Sequence, residues 1–146
     1  MCATEWHPTQ YRDTADLPAV CEILPVAADF VDLIAWQEGV ALVRDVVRAT
    51  SRVRGPGAAA LVDQMLRAAE SVPANVAESY GRGGGPDGAR FLRIAAGSAA
   101  EMENHVRVAE ASGRLEPAAA GPLVARCRRV RALIVGLRKS LGRRRC

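Results

Sequence analysis

Leu123, Cys127, Val130, Ile134, Leu137 and Leu141 recur at steps of three and four residues near the end of the chain. That spacing holds six apolar side chains on one face of an α-helix for about five turns. A helix with such a stripe must bury it against another element. Three earlier stretches carry stripes of the same kind. Leu92, Ala95, Ala99, Met102, Val106 and Ala109 form one, and Leu61, Met65, Ala68, Val72, Val76 and Tyr80 form another. In the first, Leu33, Trp36, Val40, Val43 and Val47 make a seam, with Ala35, Gly39, Leu42 and Val46 as a second apolar strip beside it. Gln37, Glu38, Arg44, Asp45 and Arg48 are assigned to the opposite, polar side. An apolar surface this wide predicts contact with more than one partner element.

Stop signals divide the stripes. Arg-Gly-Pro-Gly at 54–57, the glycine-rich run from Gly81 to Gly88 and Ser112-Gly113 interrupt the pattern. Asp32 is the expected N-cap of the first helix, since its carboxylate can accept orphan N–H groups of the opening turn. Pro117 suits the first turn of the fourth helix and Pro122 does not suit an interior, so that helix is expected to begin in earnest at Pro122. Four helices, over about 32–52, 58–81, 88–112 and 117–141, with short connections predict an all-α fold. It is an antiparallel up-down-up-down four-helix bundle covering 31–142. An acidic, poorly structured extension precedes it at 1–30, with a short helical turn near 19–24, and a basic tail follows at 143–146. Gly97, Ser98 and Ala99 would let another backbone approach the third helix.

Aromatic residues are only 4% of the chain, so alanine and aliphatic side chains must fill the core. No apolar run is long enough to span a membrane. No basic start followed by an apolar block opens the chain, so the expected setting is the cytoplasm. Cys2, Cys21, Cys127 and Cys146 have no metal-ligand spacing among themselves or with His7 and His105. Free thiols are expected, with Cys127 packed as a small apolar residue and Cys2 and Cys146 exposed.

Pro73 interrupts the second stripe, yet the seam continues to Val76 and Tyr80. The spacing therefore predicts a helix that runs through Pro73 with a kink and stops at the glycines after Tyr80. Asn75 and Glu78 lie three apart on one face, with Arg82 one turn beyond Glu78. They fit a polar network that satisfies backbone groups freed by the proline and sets helix register. They also fit a ligand contact.

Several stretches together resemble one family. They are Asp32-Leu33 with Trp36-Gln37, the run Arg67-Ala-Ala-Glu-Ser-Val-Pro73-Ala-Asn75-Val-Ala-Glu78, the third-helix stretch from Phe91 to Val106, and Val135 to Leu141. The chain is similar to the 23S rRNA intervening-sequence proteins from about Asp32 to Leu141, and the second-helix motif is its most specific part. A related bundle is the accessory variability protein of diversity-generating retroelements. The resemblance implies a homo-oligomer, a pentamer in known cases. The related bundle resembles a basic partner of nucleic acid and a reverse transcriptase, so RNA or DNA and a reverse transcriptase or other protein are candidate partners, although the Pro73-Ala-Asn75 signature goes with the intervening-sequence branch. The family resemblance marks Trp36, Arg67, Pro73, Asn75, Glu78 and Arg82 as family motif residues of structural character. This sequence departs from the family pattern at Leu66, where an arginine is usual, and at Ser79, where a glycine is usual. Its loop before the second helix is Gly-Pro-Gly-Ala-Ala, and its acidic extension lies outside the pattern.

Charge is unevenly placed. Seven acids and one base precede Gly39, whereas from Pro117 onward there are nine bases and no acid. Arg126, Arg128, Arg129, Arg131, Arg138 and Lys139 flank the fourth seam, and Arg143, Arg144 and Arg145 follow it. Such a surface attracts phosphates, and the lack of interleaved aromatics favours backbone contact over base stacking. It equally fits a solvated face with cations near a helix C-terminus, or one neutralised by the acidic extension. The glycine-rich run has no Lys-Ser/Thr after it and no strand before it, so it is expected to be a connector. Glu101 and His105 are one turn apart while Glu103 points elsewhere, a pattern of a surface or inter-helix pair. No nucleophile motif, metal set or cofactor signature is present, so no enzyme and no cofactor are expected. The two expected functions are nucleic-acid backbone binding by an oligomeric bundle, and a structural or protein-interaction oligomer that docks a partner through apolar faces.

Overall fold

Asp29 and Asp32 begin the folded part by capping each other. The carboxylate of Asp29 accepts from Phe30 N–H, and that of Asp32 accepts from the N–H groups of Ala28 and Asp29 at 3.1 Å. The result is a 3-10 turn, Phe30–Asp32. The computed structural model describes residues 27–143. The expectations about Cys2, Cys21, Cys146, Arg144, Arg145 and residues 1–26 of the extension fall outside that range.

Four helices follow: α1 (Ile34–Thr50), α2 (Ala58–Gly81), α3 (Gly85–Ala111) and α4 (Pro117–Arg143). Consecutive helices pack on each other and α1 also packs on α4, so the four close into an up-down-up-down bundle. The connections are short because glycines with positive φ turn the chain sharply, as at Gly83 and Gly84 between α2 and α3. Among the described residues no helix is long and apolar enough to cross a membrane.

Two expectations about helix starts are corrected. Leu33, not Asp32, is the N-cap of α1, and it offers no side-chain bond. Asp32 is already engaged with the turn before it. The fourth helix begins at Pro117, as its expected bounds have it, but the expectation that it begins in earnest only at Pro122 is corrected, because Pro122 lies within it. Pro122 lies early in the helix, where its missing N–H leaves one carbonyl, that of Ala118, without its i+4 donor. Burial of Ala120 and Leu123 on either side holds the turn in place.

The core is aliphatic, as the low aromatic content requires. Leu42, Met65, Val72, Leu92, Met102, Val106, Val130 and Ile134 are fully buried. In α1 the strip facing the core is Ala35, Leu42 and Val46, with Gly39 also buried. The expected seam is split: Leu33 is buried in the core, Trp36 and Val43 are half-buried and pack against it, Val40 is half-buried, and Val47, 52% exposed, faces outward. One residue of shift turns a helix by about 100°, and an apolar surface this wide does not say which half points inward.

α2 is continuous through Pro73. Close backbone approach occurs elsewhere than at Gly97, around which a β-carbon would meet nothing. It occurs at Gly39, which faces the Pro73 ring, and at Gly88, where a β-carbon would lie 3.1 Å from the Ser79 carbonyl oxygen. Ser98 and Ala99 are buried, as their small size suggested.

Candidate functional site

The charged side chains of α4 are sorted by the face they occupy. Cys127, Val130 and Ile134 point into the core. The arginines on either flank of that seam therefore reach the neighbouring helices, α1 on one side and α3 on the other. Arg126 donates from Nη1 to Glu38 Oε2 and from Nε to Asp45 Oδ2, both at 2.6 Å. Arg129 Nε lies 3.1 Å from Glu38 Oε1. Glu38 itself is only 1% exposed. Placing it on the polar side of the first helix is thus corrected: it sits one turn before Leu42, inside the buried strip, and the two arginines cover it.

On the other flank Glu103 gathers three arginines. Arg107 donates to Oε1 from Nε and Nη2 at 3.1 and 2.8 Å, Arg128 donates from Nε at 3.1 Å, and Arg131 Nη1 lies 3.7 Å from Oε2. The Arg107 hydrogen bonds hold the Glu103 carboxyl below the ordinary glutamate value. Burial opposes this, and the Arg128 bond and the charges of both arginines reinforce it. The expectation of an arginine surface with no acid nearby is therefore corrected for Arg126, Arg128, Arg129 and Arg131. Their counter-ions come from α1 and α3, far off in sequence.

Further along α4 the pattern changes. Arg138 and Lys139 form no ion pair among the described residues. Arg143 ends the helix, and Arg144 and Arg145 follow beyond the described range.

The motif residues are dispersed rather than gathered into one site. Asn75 Nδ2 donates to the Ser71 carbonyl at 2.7 Å and to Ser71 Oγ at 3.0 Å, and Ser71 Oγ meets Ser98 Oγ of α3 at 2.8 Å. The Ser71–Ser98 bond thus ties α2 to α3, and Asn75 braces Ser71 from within α2. The carbonyl that Pro73 leaves without its i+4 donor is that of Ala69, so the expected satisfaction of that group by Asn75 is corrected. Glu78 does not join this network. It accepts from Arg82 Nε at 2.9 Å, and the Arg82 guanidinium lies 5.4 Å from the Phe91 ring centre. Arg67 pairs with Asp63 on the exposed face of α2. Trp36 meets the edge of Phe30 at 5.5 Å between ring centres.

Cys127 is a buried free thiol, and burial with the nearby Glu103 charge pushes it up to about 12. It stays protonated and is no nucleophile at neutral pH. His105 Nε2 lies 3.6 Å from Glu101 Oε1, too long for a hydrogen bond. Among the described residues no group of three or more His, Cys, Asp or Glu side chains could hold a metal ion.

A family model described as 23S rRNA-intervening sequence protein matches residues 31–136. The chain belongs to that family. The match covers α1 to α3 and most of α4, and so includes Glu38, Asp45, Glu103 and the four arginines that join them. In this member of the 23S rRNA-intervening sequence proteins, the acids were the residues hidden from sequence reasoning. One signal was available: Glu38 falls three residues after Ala35 and four before Leu42, so a carboxylate interrupts an apolar strip. No curated protein matches the chain.

Proposed function

We propose that this protein is a non-enzymatic homo-oligomeric bundle that holds RNA or DNA by its phosphate backbone. The contact is made by the α4 cations that the bundle leaves without acid partners, Arg138 and Lys139, together with Arg143, Arg144 and Arg145. The observation that carries this reading is the division of the α4 cations. Those in the middle of the helix are ion-paired to Glu38, Asp45 and Glu103, while those at its end have no acid in the same stretch of sequence. The family's description names 23S rRNA, which makes RNA the first polyanion to test. Oligomerisation, a pentamer by resemblance to the family, uses the partly exposed apolar edge of α1 formed by Trp36, Val40, Val43 and the exposed Val47. It brings several copies of the basic end together.

Binding to a structured RNA is measured across a salt series. The logarithm of affinity is expected to fall linearly with the logarithm of salt, by about 0.7–0.9 per phosphate neutralised. R138Q/K139Q combined with removal of Arg143 to Arg145 is expected to flatten that slope. Binding that ignores salt and survives those changes overturns the reading. A solution mass equal to one chain overturns the oligomer.

A second reading has its own observation. Four arginines of α4 are ion-paired to acids of α1 and α3, and α1 carries a half-buried apolar strip, Trp36, Val40 and Val43, that ends in the exposed Val47. A structural oligomer that docks a partner protein, a reverse transcriptase among the candidates, would need both and no nucleic acid. Purified protein whose absorbance shows no nucleic acid, and which captures a partner through that strip, would favour it.

A further inference from the structure

The up-down topology brings the end of α1, the loop 51–57, the loop 112–116 and the start of α4 to one pole of the bundle. This pole lies about 30 Å along α4 from Arg138. The two loops are joined there: Arg114 Nη2 donates to the Pro56 carbonyl at 3.1 Å. Between them opens a cleft of about 730 Å³ whose charged lining is Arg48, Arg52, Arg54, Arg114 and Glu116.

Four guanidinium groups and one carboxylate leave the lining strongly positive. Arg54 Nη1 donates to the Val53 carbonyl at 2.9 Å, and Arg114 uses one nitrogen on Pro56, so both keep free donors. None of the four arginines forms an ion pair among the described residues. Arg48 lies in the last turn of α1, where a cation suits the helix C-terminus. That effect falls off within a turn, and it does not account for Arg52, Arg54 and Arg114, which lie in the loops. Like charges drawn into one cleft by two separate loops repel, unless an anion lies between them. Guanidinium forks match phosphate oxygens in pairs, and several of them suit a multiply charged phosphate group better than a single carboxylate. No aromatic side chain lines the cleft, so it offers no surface for stacking a base.

We propose that Arg48, Arg52, Arg54 and Arg114 form a phosphate-binding site in the cleft between the α1–α2 and α3–α4 loops. Its ligand is a chain of phosphate groups, supplied either by a nucleic-acid backbone or by a free phosphorylated small molecule. The site is separate from the α4 cations of the proposed function, with the ion-paired middle of the bundle between them.

The test uses the full chain at low salt, with inorganic triphosphate followed by calorimetry and a labelled oligothymidylate followed by anisotropy. R48Q/R52Q removes two exposed side chains and leaves the Arg114–Pro56 bond intact. R44Q/R93Q, which removes two exposed cations elsewhere, is the charge-matched control. R48Q/R52Q is expected to weaken triphosphate binding about tenfold or more, and R44Q/R93Q to change it about twofold at most. Weakening of both probes by R48Q/R52Q supports the site with nucleic acid as its source. Weakening of triphosphate alone supports it with a small phosphorylated ligand as its source. Absence of binding by both probes, or an equal loss in the two double variants, overturns it. R138Q/K139Q distinguishes the sites: loss of oligonucleotide with triphosphate binding intact leaves the cleft standing by itself. Loss in R138Q/K139Q with no effect of R48Q/R52Q removes the cleft and leaves the α4 reading.

Discussion

Gly39 of α1 lies directly on the ring of Pro73 in α2: a β-carbon at Gly39 would sit 3.2 Å from Pro73 Cδ and 3.3 Å from its Cβ and N. The proline removes a hydrogen bond from α2, and the glycine lets α1 settle against the ring that replaces it. Gly39→Ala gains about 0.5–1 kcal/mol from alanine's better helix preference but crowds the Pro73 ring, and a net loss of stability is expected because a ring fixed within a helix has little room to give. In a Pro73→Ala background the ring is gone and the same change should cost less. Urea denaturation of the four proteins in the cycle would show a coupling of about 0.5 kcal/mol or more. Additive effects would mean that the two residues do not restrain each other.

Glu38 is a buried carboxylate held by Arg126 and Arg129. Removing one partner of such a group leaves charge without compensation. Glu38→Ala is expected to lower stability by about 2–4 kcal/mol, moderated because both arginines keep some contact with water. Arg126→Ala should also destabilise, since it strips both Glu38 and Asp45 of their shortest bonds. Denaturation midpoints unchanged from wild type would show that this clasp contributes nothing to folding.

Glu103 sets a pH dependence whose sign follows from its lowered value. A carboxyl held below its unfolded value, near 4.5, stabilises the fold fully above that value. The contribution disappears as pH falls through the lowered folded value, because the unfolded chain then takes up the proton first. Glu103→Gln should therefore be less stable than wild type at neutral pH. The difference should narrow as the solution is made acid. Melting temperatures of the two proteins from pH 7 downward would reveal this, and a gap that stays constant would contradict it.

The Cys127 thiol, pushed up to about 12 and buried, should resist alkylation at pH 8 in the folded protein and react once denaturant is added. Peptide mapping after iodoacetamide treatment separates it from the other three cysteines. Modification of Cys127 at the rate of a free thiol in native buffer would mean that α4 opens readily.

Asn75 donates to Ser71 within α2, and Ser71 in turn meets Ser98 of α3. Asn75→Ala should cost about 1 kcal/mol of stability and leave nucleic-acid binding unchanged. A variant as stable as wild type but deficient in RNA binding would make Asn75 a contact residue.

The sequence by itself determined four helices, their antiparallel order and the run of α2 through Pro73, because three-four spacing and glycine-rich breaks are local properties of the chain. Even Cys127 was legible, since its place in the α4 seam dictates burial. Tertiary structure alone decided which half of the wide apolar surface of α1 faces inward, because that depends on what the other helices bring to it. It also decided the fate of the α4 arginines. Arg126 and Glu38 are 88 residues apart, and no spacing rule within one helix joins them. Separation along the chain also hid the arginine cleft, whose members come from the end of α1 and from two loops that meet only when the bundle closes. Charge counted along the chain gave a basic helix. Charge placed in space gives an ion-paired middle and, towards both ends, cations without an acid partner among the described residues.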